Sequence, residues 1–321
     1  MSDLVSIIIP CYNAERVVGE TIESALNQPG CDCEIIVIDD GSTDGSRRVI
    51  ESYGDRIRAA FGPNRGVSAA RSHGESIARG DFILYLDADD LLLPCSLADR
   101  VKLLQKSGAD ALYGAWRRLE ERNGVWTPTV EVRRRIEDVN PDPEIAFFTE
   151  MWCPTAAYLW RRSFLRDRHP GWHSNLPVIQ DARFAWDAAR AGAKFVYDDA
   201  VSVFYRANQS NSVSTRSQRA FLQDRRFNAL EIERKWRDDG PLTPARMRAL
   251  LEVWGAITRS SYAVDRDLFN ECWLHLQKLD SRHIPSGGRG FRALAGLVGY
   301  PNAEGLSHII RRAMNGRSVK I

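Results

Sequence analysis

The chain contains no apolar stretch near the roughly 20 residues that a bilayer-spanning helix needs, and Met1-Ser2-Asp3 leads into a β-branched run with no basic, apolar leader. These absences predict a cytoplasmic protein. Charge of one sign is also missing: 44 Lys and Arg against 42 Asp and Glu leave a net charge of +2, so nothing global draws the chain to nucleic acid. Any anionic partner has to be met locally. Zinc-type spacing is absent. Cys11, Cys31, Cys33, Cys95, Cys153 and Cys272 are scattered, and the close pair Cys31-Asp32-Cys33 has no second pair or histidine beside it. The six histidines form no H-E-x-x-H array. Structural zinc is thereby excluded and six reduced thiols are expected. There is no internal repeat and no low-complexity segment. What remains, 44% hydrophobic and 27% charged over 321 residues, is a globular catalytic domain of ordinary size with an appendage.

Residues 1–115 alternate short β-branched runs with helical patterns, the signature of βαβ units and a mostly parallel sheet. Val5-Ser6-Ile7-Ile8-Ile9 and Glu34-Ile35-Ile36-Val37-Ile38 read as buried strands, followed by residues 57–61, a strand ending at Leu86, and residues 109–113. Helices are expected over 14–27, after Ser42-Thr43-Asp44, over 68–78, and from Pro94 through Lys106. Residues 117–143 dissolve into charge and proline and read as a loop or hairpin region. Their triplet Arg133-Arg134-Arg135 is open to an acceptor phosphate or to a plain solvated face. A strand over 156–160, a helix over 178–191 and strands over 194–197 and 200–205 complete this part. From Ser217 the strand signals stop, and helical patterns run over 220–238, 244–260 and 267–279.

The densest chemical feature closes an apolar run at Asp81-Phe82-Ile83-Leu84-Tyr85-Leu86-Asp87-Ala88-Asp89-Asp90. On an extended chain, residues two apart share a face, so Asp87 and Asp89 can approach one ion together. Three carboxylates in four residues call for a cation, a cluster of donors or bulk water. A solvated turn is the alternative. Two further turns, Pro10-Cys11-Tyr12-Asn13 and Asp39-Asp40-Gly41-Ser42-Thr43-Asp44, also fall at C-terminal ends of predicted parallel strands, the edge where open α/β sheets gather ligands. That convergence favours the ion.

These segments, with Asn64-Arg65-Gly66-Val67-Ser68-Ala69-Ala70-Arg71 between them, closely resemble family 2 glycosyltransferases of the GT-A fold. The resemblance covers residues 4–115 and extends more weakly to 214. It implies an α/β fold of the GT-A nucleotide-diphospho-sugar transferase type, Rossmann-like with a mostly parallel sheet flanked by helices. Residues 1–215 would form the catalytic domain, with 1–115 binding the nucleotide sugar and 116–215 the acceptor; 216–321 would be a helical extension. It also implies that Pro10, Tyr12, Asn13 and Asp39 line the nucleoside pocket, with Asp39 reading the base and Asp40 and Arg71 nearby in the nucleotide-sugar site. Asp87-Ala88-Asp89 would hold the ribose and a Mn2+ or Mg2+ ion on the diphosphate. The donor is a UDP-sugar by analogy, and the acceptor is a hydroxyl of a glycan or lipid-linked glycan in surface polysaccharide synthesis.

An inverting displacement needs a base for that hydroxyl. The resemblance places it at Asp181, in Leu176-Pro177-Val178-Ile179-Gln180-Asp181, with helix N-capping as the other role for an Asp there. The family usually shows Glu-Asp at this point. Gln180 therefore removes a charge that would raise the pKa of its neighbour. Gln180 and Trp152 are placed on the acceptor side, where Trp152 is open to stacking on a sugar or to plain core packing. Many relatives carry a histidine where Asn208 falls. Asn208 is a weaker candidate metal ligand, Arg206 can pair with the diphosphate, and residues 205–214 suit a flap.

Residues 291–313 join Leu294, Leu297, Val298, Leu306, Ile309 and Ile310 to Arg292, Arg311 and Arg312, a basic amphipathic tail open to an anionic membrane surface or to core packing. The C-terminal helices are equally open to the acceptor or to a second copy of the chain. A sugar nucleotidyltransferase would want a Gly-rich, basic loop after the first strand, which Cys11-Tyr12-Asn13-Ala14-Glu15 does not supply. A non-catalytic nucleotide-sugar binding protein would not need Asp181.

Overall fold

The computed structural model describes residues 3–94, 96–169, 171–207, 217–285 and 287–317. The chain divides into two compact units, Met1–Thr215 and Arg216–Ile321.

The first unit is built on one mixed sheet. β1 (Val5–Cys11) is buried at every residue, as a mostly apolar central strand covered on both faces should be, and its one polar side chain, Ser6, donates to Glu34. β2 (Cys33–Asp39) and β3 (Arg58–Phe61) extend the sheet on one side, and β4 (Phe82–Tyr85) lies on the other, all parallel. Helices α1 (Val18–Leu26), α2 (Ser46–Glu51) and α3 (Val67–Ile77) make the crossovers. α3 approaches β1 at Gly74, where an added Cβ would lie 2.4 Å from Ile8 Cγ2. A larger residue would push the helix off the sheet.

Beyond β4 the order is β8-β6-β9-β5. These are β5 (Leu91–Leu92), β6 (Ala111–Arg122), β8 (Tyr158–Arg161) and β9 (Phe195–Arg206), with β7 (Val125–Val132) paired to β6. β8 is antiparallel to β4 and β6, whereas β6 and β9 are parallel. Six of the nine strands among the described residues therefore run in the direction of β1, and the expected mostly parallel α/β sheet is what forms. The remaining helices here are α4 (Ser96–Ser107), α5 (Ile136–Val139), α6 (Pro143–Thr149), α7 (Arg162–Arg168) and α8 (Gln180–Arg190).

Of the loop or hairpin expected over 117–143, the hairpin is largely what forms, with its turn at Asn123-Gly124, both left-handed at φ 53° and 79°, as a two-residue loop with primed-turn twist demands. Other boundaries differ from the sequence reading. The two strands expected over 194–205 are one strand. Its pairing with β6 jumps from Gly114↔Asp198 to Trp116↔Val203, so residues 199–202 bulge out of the ladder without ending it. α7 follows β8 directly and was not anticipated.

The second unit is helical: α9 (Gln218–Asp238), α10 (Pro244–Ser261), α11 (Arg266–Leu279), α12 (Arg289–Val298) and α13 (Tyr300–Arg317). Ser217, Thr243 and Asp265 cap α9, α10 and α11 by accepting from the backbone N–H three residues on, and Pro244 fits the first turn of α10. Trp236, Trp254, Ile257 and Leu276 are buried among them. The single tail segment read over 291–313 is two helices, separated at Gly299 with φ 80°. Among the described residues no helix is long and apolar enough to cross a membrane.

Candidate active site

The C-terminal ends of β1 and β2 are stitched into a polar cradle. Pro10 is buried within β1, and Tyr12 beyond it is 43% exposed. Asn13 adopts φ 51°, and its Oδ1 accepts from Thr43 N at 2.8 Å, while its own N–H donates to Ser42 Oγ. Asp39 is buried and accepts from Ser42 N at 3.1 Å. Asp40 is committed to shaping the chain: its two oxygens accept from Arg65 N and Gly66 N, each at 2.8 Å. Its role in the cradle is to hold the 62–66 loop. Gly41, at φ 78°, has Asn64 N only 2.6 Å from where a Cβ would stand, so this turn closes only on glycine.

β4 ends at Tyr85, and the acidic cluster beyond it is a turn, with Asp90 N donating to Asp87 O at 2.9 Å. This corrects the expectation of an extended chain presenting Asp87 and Asp89 on one face. Asp87 pairs with Arg71 Nη2 at 2.5 Å. Arg71 is almost wholly buried and lies 4.4 Å over the Trp172 ring, so it is no surface cation. Ala88 is buried, and its carbonyl, like that of Asp90, accepts from Thr21 Oγ1. Loss of water around Asp89, then the charge of Asp87, pushes the Asp89 carboxyl up to about 6. Asp90 is fully buried and accepts from Arg206 N at 2.9 Å; burial raises its carboxyl well above the ordinary range. The Arg206 guanidinium is engaged by Glu20 and by the carbonyl of Asp89. It clamps the acidic turn from behind instead of reaching outward as expected for diphosphate pairing. Of the segment read as a flap, Tyr205 and Arg206 belong to β9, and Asn208 with the rest through 214 lies outside the described residues.

Asp181 enters from the other half of the sheet, in the first turn of α8. The N-cap is Ile179, so capping is not what places an Asp here. Asp181 Oδ2 accepts from Trp152 Nε1 at 2.7 Å and Oδ1 from Ala182 N at 2.8 Å. Desolvation raises the carboxyl. The Trp152 and Ala182 hydrogen bonds and the Arg71 charge oppose that, and Asp87 adds to it. Those last two contributions join the acid of α8 electrostatically to the turn after β4. Tyr205 on β9 reports the same convergence: burial raises its hydroxyl, and the charges of Asp90, Asp87, Asp89 and Asp181 all push in the same direction.

Trp152 was open to sugar stacking or to core packing. Its N–H is spent on Asp181, and its ring stands edge-on to Trp116 (5.5 Å, 89°) and Tyr205 (5.5 Å, 75°). Gln180 Oε1 is buried with no hydrogen-bond partner. A small cavity beside Asp181 is walled by Tyr85, Tyr158, Trp160, Trp172 and Phe184, with Thr155 and Cys153. Trp172 precedes α8 and stacks on Phe184 at 4.0 Å, and Ser68 of α3 donates to His173 O at 2.9 Å. The loop leading to Asp181 is thus fastened to the helix that carries Arg71. Trp172, Trp116 and Tyr205 carry no motif, and only their place in the folded sheet singles them out. The arginine triplet stays exposed and is engaged by local partners. Arg133 pairs with Glu131 and Asp199, Arg134 donates to Glu150 O, and Arg135 covers the Tyr197 ring.

Chemically, the site joins a desolvated carboxyl, Asp181, to a turn of hard carboxylate oxygens. Among the described residues no group of three His, Cys, Asp or Glu side chains forms a ready-made metal cage. Two carboxylates with a partly exposed opening (Asp87 is 32% exposed) suit a Mg2+-like ion that completes its shell with phosphates and water.

Residues 6–165 match the family model described as glycosyl transferase family 2. Among curated proteins, the chain is 31% identical over 198 residues to the uncharacterised glycosyltransferase EpsJ of Bacillus subtilis, a match covering 59% of this chain and 55% of that one. The chain spans about half or less of the length of the curated relatives it matches. Among solved structures, it resembles S. aureus TarS 1–349 in complex with UDP-GlcNAc at TM-score 0.65 and 18% identity, over 98% of this chain and 92% of that one. It also resembles the mannosyltransferase PcManGT of Pyrobaculum calidifontis, in complex with GDP-Man and Mn2+, at TM-score 0.50 and 17% identity, over 95% and 86% of the two chains. At these identities the likeness to solved structures is one of fold.

Proposed function

The chain belongs to glycosyl transferase family 2 through residues 6–165, and from that premise we propose that it transfers a sugar from a nucleoside diphosphate sugar to an acceptor hydroxyl with inversion. The catalytic domain of this reading is residues 1–215. The observation that carries it is the meeting of Asp181 with Arg71 and Asp87: a desolvated base in the first turn of α8 feels the charges of the turn after β4. Asp39 and Tyr12 line the nucleoside pocket, held by the Asn13, Ser42 and Asp40 bonds. Asp181 takes the acceptor proton as the hydroxyl oxygen attacks the anomeric carbon, and the nucleoside diphosphate departs from the opposite face. Trp152 keeps Asp181 oriented, and Arg71 holds Asp87 while bracing the Trp172 loop. A Mn2+ or Mg2+ ion, held by Asp89 and Asp87, would neutralise charge on the departing diphosphate.

The donor is proposed to be a UDP-sugar, in keeping with the UDP-GlcNAc of the TarS complex, and the acceptor a glycan or lipid-linked glycan of surface polysaccharide. The test is calorimetric binding of UDP-sugars and GDP-mannose with Mn2+ and with chelator, on wild type and Asp89→Ala. Metal-dependent binding of one donor, lost in the variant, supports the reading. Absence of binding to every nucleotide sugar in the presence of metal would overturn it.

A further inference from the structure

The C-terminal helices α12 and α13 carry an apolar face that the helical unit does not use. Their inner side is already occupied: Ala295, Tyr300, Ala303 and Glu304 are buried, and Tyr300 stacks on Trp273 of α11 at 4.8 Å and on Phe269 at 6.3 Å. Outside that packing, Leu297 is 85% exposed, Ile309 65% and Ile310 56%, with Leu306 and Val298 also open. Of the eleven large hydrophobic residues exposed among the described residues, five fall in this one segment, so the face is a patch and not ordinary surface scatter.

Its charge identifies what it fits. Residues 289–321 contain Arg289, Arg292, Arg311, Arg312, Arg317 and Lys320 against a single acid, Glu304. Glu304 is turned inward, 3.9 Å from Arg259, while Arg289 and Arg292 are exposed. Docking this face on a second copy about a twofold axis would set two like-charged segments against each other, which opposes association. The helices, 10 and 18 residues long, do not qualify as spans. Apolar side chains flanked by charge of one sign fit an anionic lipid surface, with the side chains reaching the acyl boundary and the cations meeting headgroup phosphates.

We propose that α12 and α13 form a peripheral docking surface for an anionic bilayer, lying in its plane and not crossing it. The inference goes beyond the transfer reaction and stands or falls separately from it.

The test is co-flotation of the full chain with vesicles of phosphatidylglycerol and phosphatidylcholine, against phosphatidylcholine alone. The expected result is partition onto the anionic vesicles only, weakened by salt. The triple variant Leu297→Ser, Ile309→Ser, Ile310→Ser should lose binding at least about tenfold. Arg289→Glu with Arg292→Glu should lose about fivefold or more for each charge. All five side chains are exposed, so thermal unfolding of both variants should match wild type, which separates loss of docking from loss of fold. Absence of vesicle binding, equal binding to neutral vesicles, or binding untouched by either variant would each overturn the proposal. Sedimentation velocity decides the rival occupant: a dimer dissolved by the triple variant, without vesicle binding, would assign the face to a second copy.

Discussion

Trp152→Phe isolates one hydrogen bond of the proposed mechanism. The substitution keeps a ring where Trp116 and Tyr205 need one and leaves the Ala182 N–H on Asp181 Oδ1, but it removes the donor 2.7 Å from Oδ2. A hydrogen bond to a charged acceptor is worth about 1.5–3 kcal/mol, and each ~1.4 kcal/mol of lost transition-state stabilisation slows a reaction about tenfold. If Asp181 is the base and Trp152 orients it, kcat falls by about 10- to 100-fold while the donor KM holds, because no donor contact is removed. The Trp152 bond favours the charged carboxylate, so its loss raises the Asp181 pKa. The acidic limb of the kcat profile then moves to higher pH. Nucleotide release from whichever donor binds in calorimetry is the assay. A readout free of substrate is the Trp152 indole N–H resonance in a 15N-labelled sample: it should move as Asp181 takes a proton and stop moving in Asp181→Asn. A kcat within about twofold of wild type with an unmoved pH limb would refute the reasoning, since a bond of this magnitude to the working base cannot be silent in both.

Three other outcomes follow from the site. The Asp89 carboxyl is raised from 3.8 to about 6, so metal-dependent nucleotide binding should weaken as pH falls through about 6; in metal-free protein this group's stabilising contribution is present below 3.8 and lost as pH rises through about 6, and calorimetry and thermal melts across pH 4–8 check the two opposite signs. Gly41→Ala should destabilise by roughly 1–3 kcal/mol and weaken nucleotide binding, because φ 78° and the 2.6 Å approach of Asn64 N leave a Cβ no room; denaturant unfolding measures it. Arg71→Met should lower stability by about 1–3 kcal/mol, less than for a fully buried pair because Asp87 is a third exposed, and should abolish donor binding; a variant that binds nucleotide normally would remove Arg71 from the site.

The strands of the first half were legible because a central parallel strand buried on both faces carries a continuous apolar stretch, as Ile7-Ile8-Ile9 and Ile35-Ile36-Val37-Ile38 do. Charge left the hairpin over 111–132 legible only as a loop or hairpin region, although Asn123-Gly124 was a readable turn signal. The positions of the acids at strand ends could be read from the sequence, whereas their partners could not. Arg206 looked like a diphosphate ligand and clamps Glu20 and the Asp89 carbonyl; Trp152 was open to sugar stacking or core packing and donates to Asp181 across 29 residues. Such pairings depend on which strands become neighbours, and β8 inserts between β4 and β6 against the chain order.

By itself the sequence determined the α/β alternation, the family motifs and which side chains carry charge at the strand ends, since these depend on local periodicity and residue type. The tertiary structure alone decided which of those charges are desolvated, which are already spent on one another, and that Asp181 shares its field with Arg71 and Asp87. Burial and pairing are properties of contacts between distant segments, and no local pattern encodes them.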